Sequence, residues 1–154
     1  MIKRYLRRAA LLAAGLATIG AAGLVAAEPA QAATSCSGTV SYSKTVSRSG
    51  SAIGELVIYY NTSNGGTNSA CFYHRGVAYG VGTLTGVQIA RCSQRSGEGQ
   101  TCDITALSTP DEAGYGYYAG PVGVTGTANY CVAAKGWIVW GTTAYTVDSG
   151  TQGC

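Results

Sequence analysis

The 154-residue sequence has little of what most enzymes and nucleic-acid-binding proteins are built from: 11% of its residues are charged, and it holds one histidine and one phenylalanine. Any Ser-His-Asp arrangement would have to use His74, and no Gly-x-Ser-x-Gly elbow accompanies it. Its alternation with Phe72 places His74 on a strand beside a sheet edge, in a structural role. Cys71-Phe72-Tyr73-His74 has a Cys-x2-His spacing, but a closed zinc site needs four ligands. Carboxylates are few and scattered; Asp111 and Glu112 adjoin in an expected solvated turn after Pro110 and do not make a glycosidase pair. No phosphate loop, dinucleotide fingerprint or calcium loop appears. No catalytic residue, cofactor or metal ligand is nominated, and an enzyme is the least favoured class.

What is there begins with a leader. Residues 1–8 are basic, Ala9 to Ala27 is apolar, and Ala30-Gln31-Ala32 is an A-x-A cleavage site, so residues 1–32 read as a removable signal peptide. The apolar stretch is long enough to raise the question of a membrane anchor, but its Ala and Gly content and small-residue end favour cleavage. Arg7-Arg8 leaves Sec and twin-arginine export both open. Lys3, Arg4, Arg7 and Arg8 minus Glu28 account for the whole net charge of +3. Residues 33–154 therefore carry six cations, six anions and no net charge. That argues against a nucleic-acid partner, which requires a basic patch, and against polybasic membrane attachment.

All six cysteines (Cys36, Cys71, Cys92, Cys102, Cys131, Cys154) follow the leader. An even set in an exported chain predicts three disulfides, with fifteen pairings possible. Residues 33–154 are expected to form one extracellular domain with a modest core.

No stretch repeats apolar residues at helical spacing. Short β-branched and aromatic runs broken by Gly, Asn and Ser predict strands at Thr39–Val46, Glu55–Asn61, Ala70–His74, Thr83–Cys92, Thr101–Leu107, Gly116–Thr125, Asn129–Ala134 and Trp137–Thr146. The fold class is all-β, a small disulfide-stapled antiparallel sandwich or barrel. Asn64-Gly65-Gly66 supplies the turn joining the second and third strands. Asn61-Thr62-Ser63 fits the glycosylation pattern, but the turn chemistry accounts for it. Paired Tyr followed by Thr-x3-Cys-x3-basic-Gly occurs twice, at Tyr59-Tyr60 with Thr67 to Gly76 and at Tyr117-Tyr118 with Thr127 to Gly136. A duplicated hairpin with pseudo-twofold symmetry, placing Cys71 and Cys131 in equivalent strands, is one reading; coincidence among similar small strands is the other.

Two surfaces could carry a binding function. Nine polar, Gly-rich residues separate Cys92 from Cys102, which predicts a Cys92–Cys102 bond closing a hairpin loop. With Arg95 exposed near its start, that loop is either a stapled surface turn or an inhibitory loop for a trypsin-like protease. The second surface is aromatic. Tyr59, Tyr60, Tyr117, Tyr118, Trp137 and Trp140 are candidate ligand contacts, because adjacent tyrosines on a strand project to opposite faces and one of each pair must reach a surface or rim. With one Phe and few Leu, much of the aromatic set is also needed in the core.

Cys36-Ser37-Gly38, the run Leu56-Val57-Ile58-Tyr59-Tyr60-Asn61-Thr62-Ser63 leading to Cys71, Tyr115-Gly116-Tyr117-Tyr118-Ala119-Gly120-Pro121-Val122, and the closing Cys131 and Cys154 together resemble the small secreted actinobacterial proteins called spore-associated protein A. The resemblance implies an exported protein found with aerial hyphae and spore surfaces, with no catalytic residues to carry over. The chain departs from the pattern in Cys92 and Cys102, an added local pair, and in Ser69-Ala70 where an Asn usually precedes the second cysteine. Setting that pair aside, the resemblance favours Cys36–Cys71 and Cys131–Cys154. The leading expectation is a secreted non-enzymatic surface protein of spores or aerial hyphae, with cell-wall or spore-surface components as partners. A carbohydrate- or wall-binding module and a protease inhibitor acting through Arg95 are the alternatives, and self-association is left open.

Overall fold

The computed structural model describes residues 35–154; the expected signal segment, residues 1–32, lies outside them. Nine strands follow in order: β1 Thr39–Arg48, β2 Ser51–Asn61, β3 Thr67–His74, β4 Thr83–Cys92, β5 Ile104–Leu107, β6 Asp111–Tyr115, β7 Tyr118–Thr125, β8 Val132–Trp140 and β9 Thr143–Asp148. They form two antiparallel sheets, one ordered β1-β2-β3-β7 and the other β5-β4-β8-β9, with β6 also paired to β4. The fold is an all-β sandwich. No helix of the described residues is long and apolar enough to cross a membrane.

Alternation sets the core. Leu56 and Ile58 of β2, Phe72 of β3 and Val124 of β7 face Val87 and Ile89 of β4 and Ile138 of β8, all of them buried. Such side chains contribute about 1.5–3 kcal/mol each on leaving water. The cysteines pair as Cys36–Cys71, Cys92–Cys102 and Cys131–Cys154. Cys71 alternates with the inward Ala70 and Phe72, so its bridge to Cys36 lies on the outer face of the first sheet. Both Cys71 and its cross-strand partner Val57 are buried there.

The hairpin turn around Asn64-Gly65-Gly66 forms between β2 and β3, in register Asn61 to Thr67. A second hairpin turn, Ser49-Gly50, has positive φ at both residues (49° and 81°) and starts β2 at Ser51, four positions before the predicted Glu55. Two expectations are corrected, and one of two open readings is removed. Predicted strands Asn129–Ala134 and Trp137–Thr146 redistribute into β8 and β9, because Gly136 is a mid-strand residue facing Phe72 and the turn falls at Gly141-Thr142. Asp111 and Glu112 lie on β6, an edge strand of low β propensity, instead of in a solvated turn. The duplicated hairpin does not form: β7 pairs with β3 in one sheet and β8 with β4 in the other, and Cys131 precedes β8.

Candidate functional site

The outer face of the first sheet carries a connected row of polar and aromatic side chains. Glu55 of β2 lies opposite Tyr73 of β3, and Tyr73 lies opposite Tyr118 of β7. The Tyr59 and Tyr73 hydroxyls hydrogen-bond at 2.8 Å, and the Tyr73 and Tyr118 rings stand 5.7 Å apart. The Arg75 guanidinium lies 4.9 Å over the Tyr73 ring and pairs with Glu55 at 2.6 Å. Glu55 also accepts from the Ser43 hydroxyl of β1. The Ser43 bond first, and then Arg75, outweighs partial burial and holds the Glu55 carboxyl below the usual range. Burial and the bond to Tyr59 push the Tyr73 hydroxyl well above the usual tyrosine value.

A second aromatic pair comes from the loops that follow β3 and precede β7. Tyr79, just after the 3-10 turn Gly76–Ala78, meets Tyr117 edge-to-face with centroids 5.1 Å apart. Tyr79 is 65% and Tyr117 57% exposed, and Val77 and Val81 beside them are exposed as well. Bonds from the backbone of His74 to Tyr117 (2.8 Å) and of Gly80 to Gly116 (2.8 Å) tie the two segments together. Exposed edge-to-face tyrosines present an apolar body with a hydroxyl at the rim, a surface suited to stacking on a sugar ring.

The structure thus joins Tyr59 to Tyr118 through Tyr73, and joins Tyr117 to Tyr79. Tyr73, Tyr79, Arg75 and Glu55 were absent from the sequence-based candidates. Their signals were present: Tyr73 shares the outward parity of Cys71, and Gly76-Val77-Ala78-Tyr79-Gly80-Val81 is an apolar loop between glycines. Tyr60 is half-buried at the end of β2. The two tryptophans serve the framework. Trp140 packs against the core. Trp137 crosses its cross-strand partner Gly86, where a Cβ would come within 2.2 Å of the ring, and donates from Nε1 to Glu112 of β6 at 2.5 Å.

Arg95 is exposed but does not project from its loop. Its guanidinium stacks 4.8 Å over Tyr130 and donates to the Tyr130 hydroxyl at 3.0 Å. The Cys92–Cys102 loop is held back on the domain by Gly99 N–H to Thr151 O (2.7 Å) and Thr151 N–H to Gln100 O (2.9 Å).

His74 is fully buried in a central strand, a correction to its expected place beside a sheet edge. Nδ1 donates to Ala78 O at 3.0 Å, and Nε2 takes the Thr85 hydroxyl at 2.7 Å, so the ring closes the Gly76–Ala78 turn onto β4. Asp111 bridges β6 to β7, accepting from the Tyr115 hydroxyl (2.5 Å) and the Gly120 N–H (2.6 Å). Among the described residues no group of three or more His, Cys, Asp or Glu is placed to hold a metal ion. No family model, no curated protein and no solved structure matches the chain.

Proposed function

We propose that the protein is a secreted, non-enzymatic surface protein that attaches to wall or spore-surface glycans through its tyrosine face. The observation that carries the reading is the exposed Tyr79–Tyr117 pair beside the Tyr73–Tyr118 pair. The exposed rings of Tyr79, Tyr117 and Tyr118 offer stacking area that the core does not use, and aromatic side chains give it at low cost in conformational freedom. Three disulfides suit an oxidising, extracytoplasmic compartment. The low charge of residues 33–154 and the similarity to spore-associated protein A support a place on aerial hyphae or spores.

Retention on insoluble chitin, cellulose and peptidoglycan tests the attachment. Wild type should be retained on at least one polymer, and the double variant Tyr79→Ala, Tyr117→Ala should wash through. Uniform flow-through of the wild type removes the glycan reading. Fractionation of sporulating cultures tests the location, and protein spread evenly in the medium at all stages would remove the surface assignment.

A further inference from the structure

On the opposite face of the sandwich, the outer side of the second sheet carries a groove of about 520 Å³, within the range of ligand sites. Ala90 of β4 and Ala133 of β8 are cross-strand partners on its floor, and their small side chains give it depth. Next along the floor come Gln88, Lys135 and Asp148, three residues in register across β4, β8 and β9. Ile104 and Leu107 of β5, 58% and 50% exposed, form an apolar wall. The other wall is the stapled loop, through residues 99–102.

That wall is built rigidly. Cys92 shares the outward parity of Gln88 and Ala90, so its bridge to Cys102 folds the loop back along the sheet face. Thr151 then locks it: its hydroxyl accepts from Gln100 N–H at 2.9 Å and donates to Gly97 O, besides the two backbone bonds to Gly99 and Gln100. A groove held open before binding spares a ligand most of the ordering cost.

The lining selects a ligand class. None of the lining residues is aromatic, so the groove lacks the stacking plane a sugar ring would use. It offers instead amide side chains, aliphatic surface and two opposite charges. Lys135 and Asp148 face each other across the β8–β9 ladder, yet among the described residues the salt bridge formed is Arg75–Glu55. One Asp148 oxygen accepts from Gly150 N–H at 2.9 Å. The ammonium of Lys135 and the second Asp148 oxygen are left to a ligand of matching charges.

We propose that this groove binds a short extended peptide bearing both a carboxylate and an ammonium group among small aliphatic side chains. The carboxylate faces Lys135, the ammonium faces Asp148, and an aliphatic side chain packs on Ile104 and Leu107. This site is separate from the tyrosine face and does not depend on the glycan reading.

The test is a titration of the exported, isotope-labelled protein with an end-blocked pentapeptide of alanine, glutamate, alanine, lysine and alanine, whose charged side chains lie two positions apart and so share one face of an extended chain, followed by amide chemical shifts. Saturable shifts are expected at residues 88–90, 99–107, 133–135 and 148–150. The neutral analogue with glutamine and methionine in place of the charged pair should bind at least tenfold more weakly. Lys135→Met, an exposed change that preserves the fold, should weaken the charged peptide at least tenfold, Ala133→Leu should block it, and Tyr117→Ala should leave it unchanged. Absence of saturable shifts, shifts centred on Tyr79 and Tyr117, equal affinity for the neutral analogue, or unchanged affinity in Lys135→Met would each overturn the proposal. So would stronger binding of a chitin tetrasaccharide at the same residues.

Discussion

The ring of Phe72 abuts Gly136 of the opposite sheet: a Cβ at position 136 would stand 2.2 Å from Cδ2 of the ring. The ring's far edge meets Gly54 of its own sheet just as closely, where a Cβ would come within 2.3 Å of Cζ. One glycine from each sheet therefore admits the chain's only phenylalanine between the layers.

Gly136→Ala should destabilise the domain by about 1–3 kcal/mol or more, because the added methyl meets a ring with no room to move. Phe72→Leu alone should also be costly, but in the Gly136→Ala background its cost should fall, giving a favourable coupling energy in a double-mutant cycle. Urea unfolding of the four proteins measures it, and additive effects would contradict the contact.

Thr85→Val should cost about 1–3 kcal/mol, since it leaves the buried Nε2 of His74 without its 2.7 Å partner. Thr85→Ser, which keeps the hydroxyl, should recover most of that loss. Thermal unfolding of both variants checks the pair.

Glu55 links the sign of a pH effect to a single carboxyl. Its folded-state value lies below its unfolded one, so its contribution is complete above the ordinary carboxylate range and is lost as pH falls through the depressed folded value. Glu55→Gln should therefore be less stable than wild type at neutral pH, by under about 1 kcal/mol given the exposure of Arg75. The gap should close in acid. A gap that widened on acidification would reverse the assignment.

Removing Cys92 and Cys102 together should cost about 2–4 kcal/mol. Thr151→Val, which keeps the bridge but removes the hydroxyl lock, should instead speed amide exchange in residues 97–101 with the core unchanged. Exchange confined to that loop distinguishes local release from general loosening.

Tyr79→Ala and Tyr117→Ala should shift stability by no more than about 0.5 kcal/mol, as expected of exposed positions. Tyr73→Ala, at the centre of the row with Tyr59, Arg75 and Tyr118, should cost more. Comparing unfolding midpoints separates the exposed pair from the side chain that organises the face.

The strands that alternate strongly were legible in the sequence, as in Thr83–Cys92, where Val87 and Ile89 alternate with Gln88 and Ala90. The Asn64-Gly65-Gly66 hairpin was legible from its turn chemistry. Gly136 misled, because a glycine next to a lysine reads as a turn when the residue it accommodates, Phe72, is 64 positions away in the sequence. Strand β6 was hidden for the opposite reason: Asp-Glu-Ala-Gly-Tyr has little intrinsic β preference and is held by pairing to β4, by Asp111 and by the Trp137–Glu112 bond. Of the aromatic face, adjacent tyrosines signalled that rings must reach the surface. Which rings meet depended on the β3–β7 register, a long-range pairing with no local signature.

Strands β5 and β6 share one side of β4 as two short pieces, Ile104–Leu107 and Asp111–Tyr115, interrupted at Ser108-Thr109-Pro110. A single long strand there would expose an unbroken ladder of free amides to any neighbouring copy. The interruption, with a proline in it, denies such a copy a template for edge-to-edge pairing. On that side of the second sheet, growth by strand addition would have to restart across the Ser108-Thr109-Pro110 break, so this edge adds only short, separate segments.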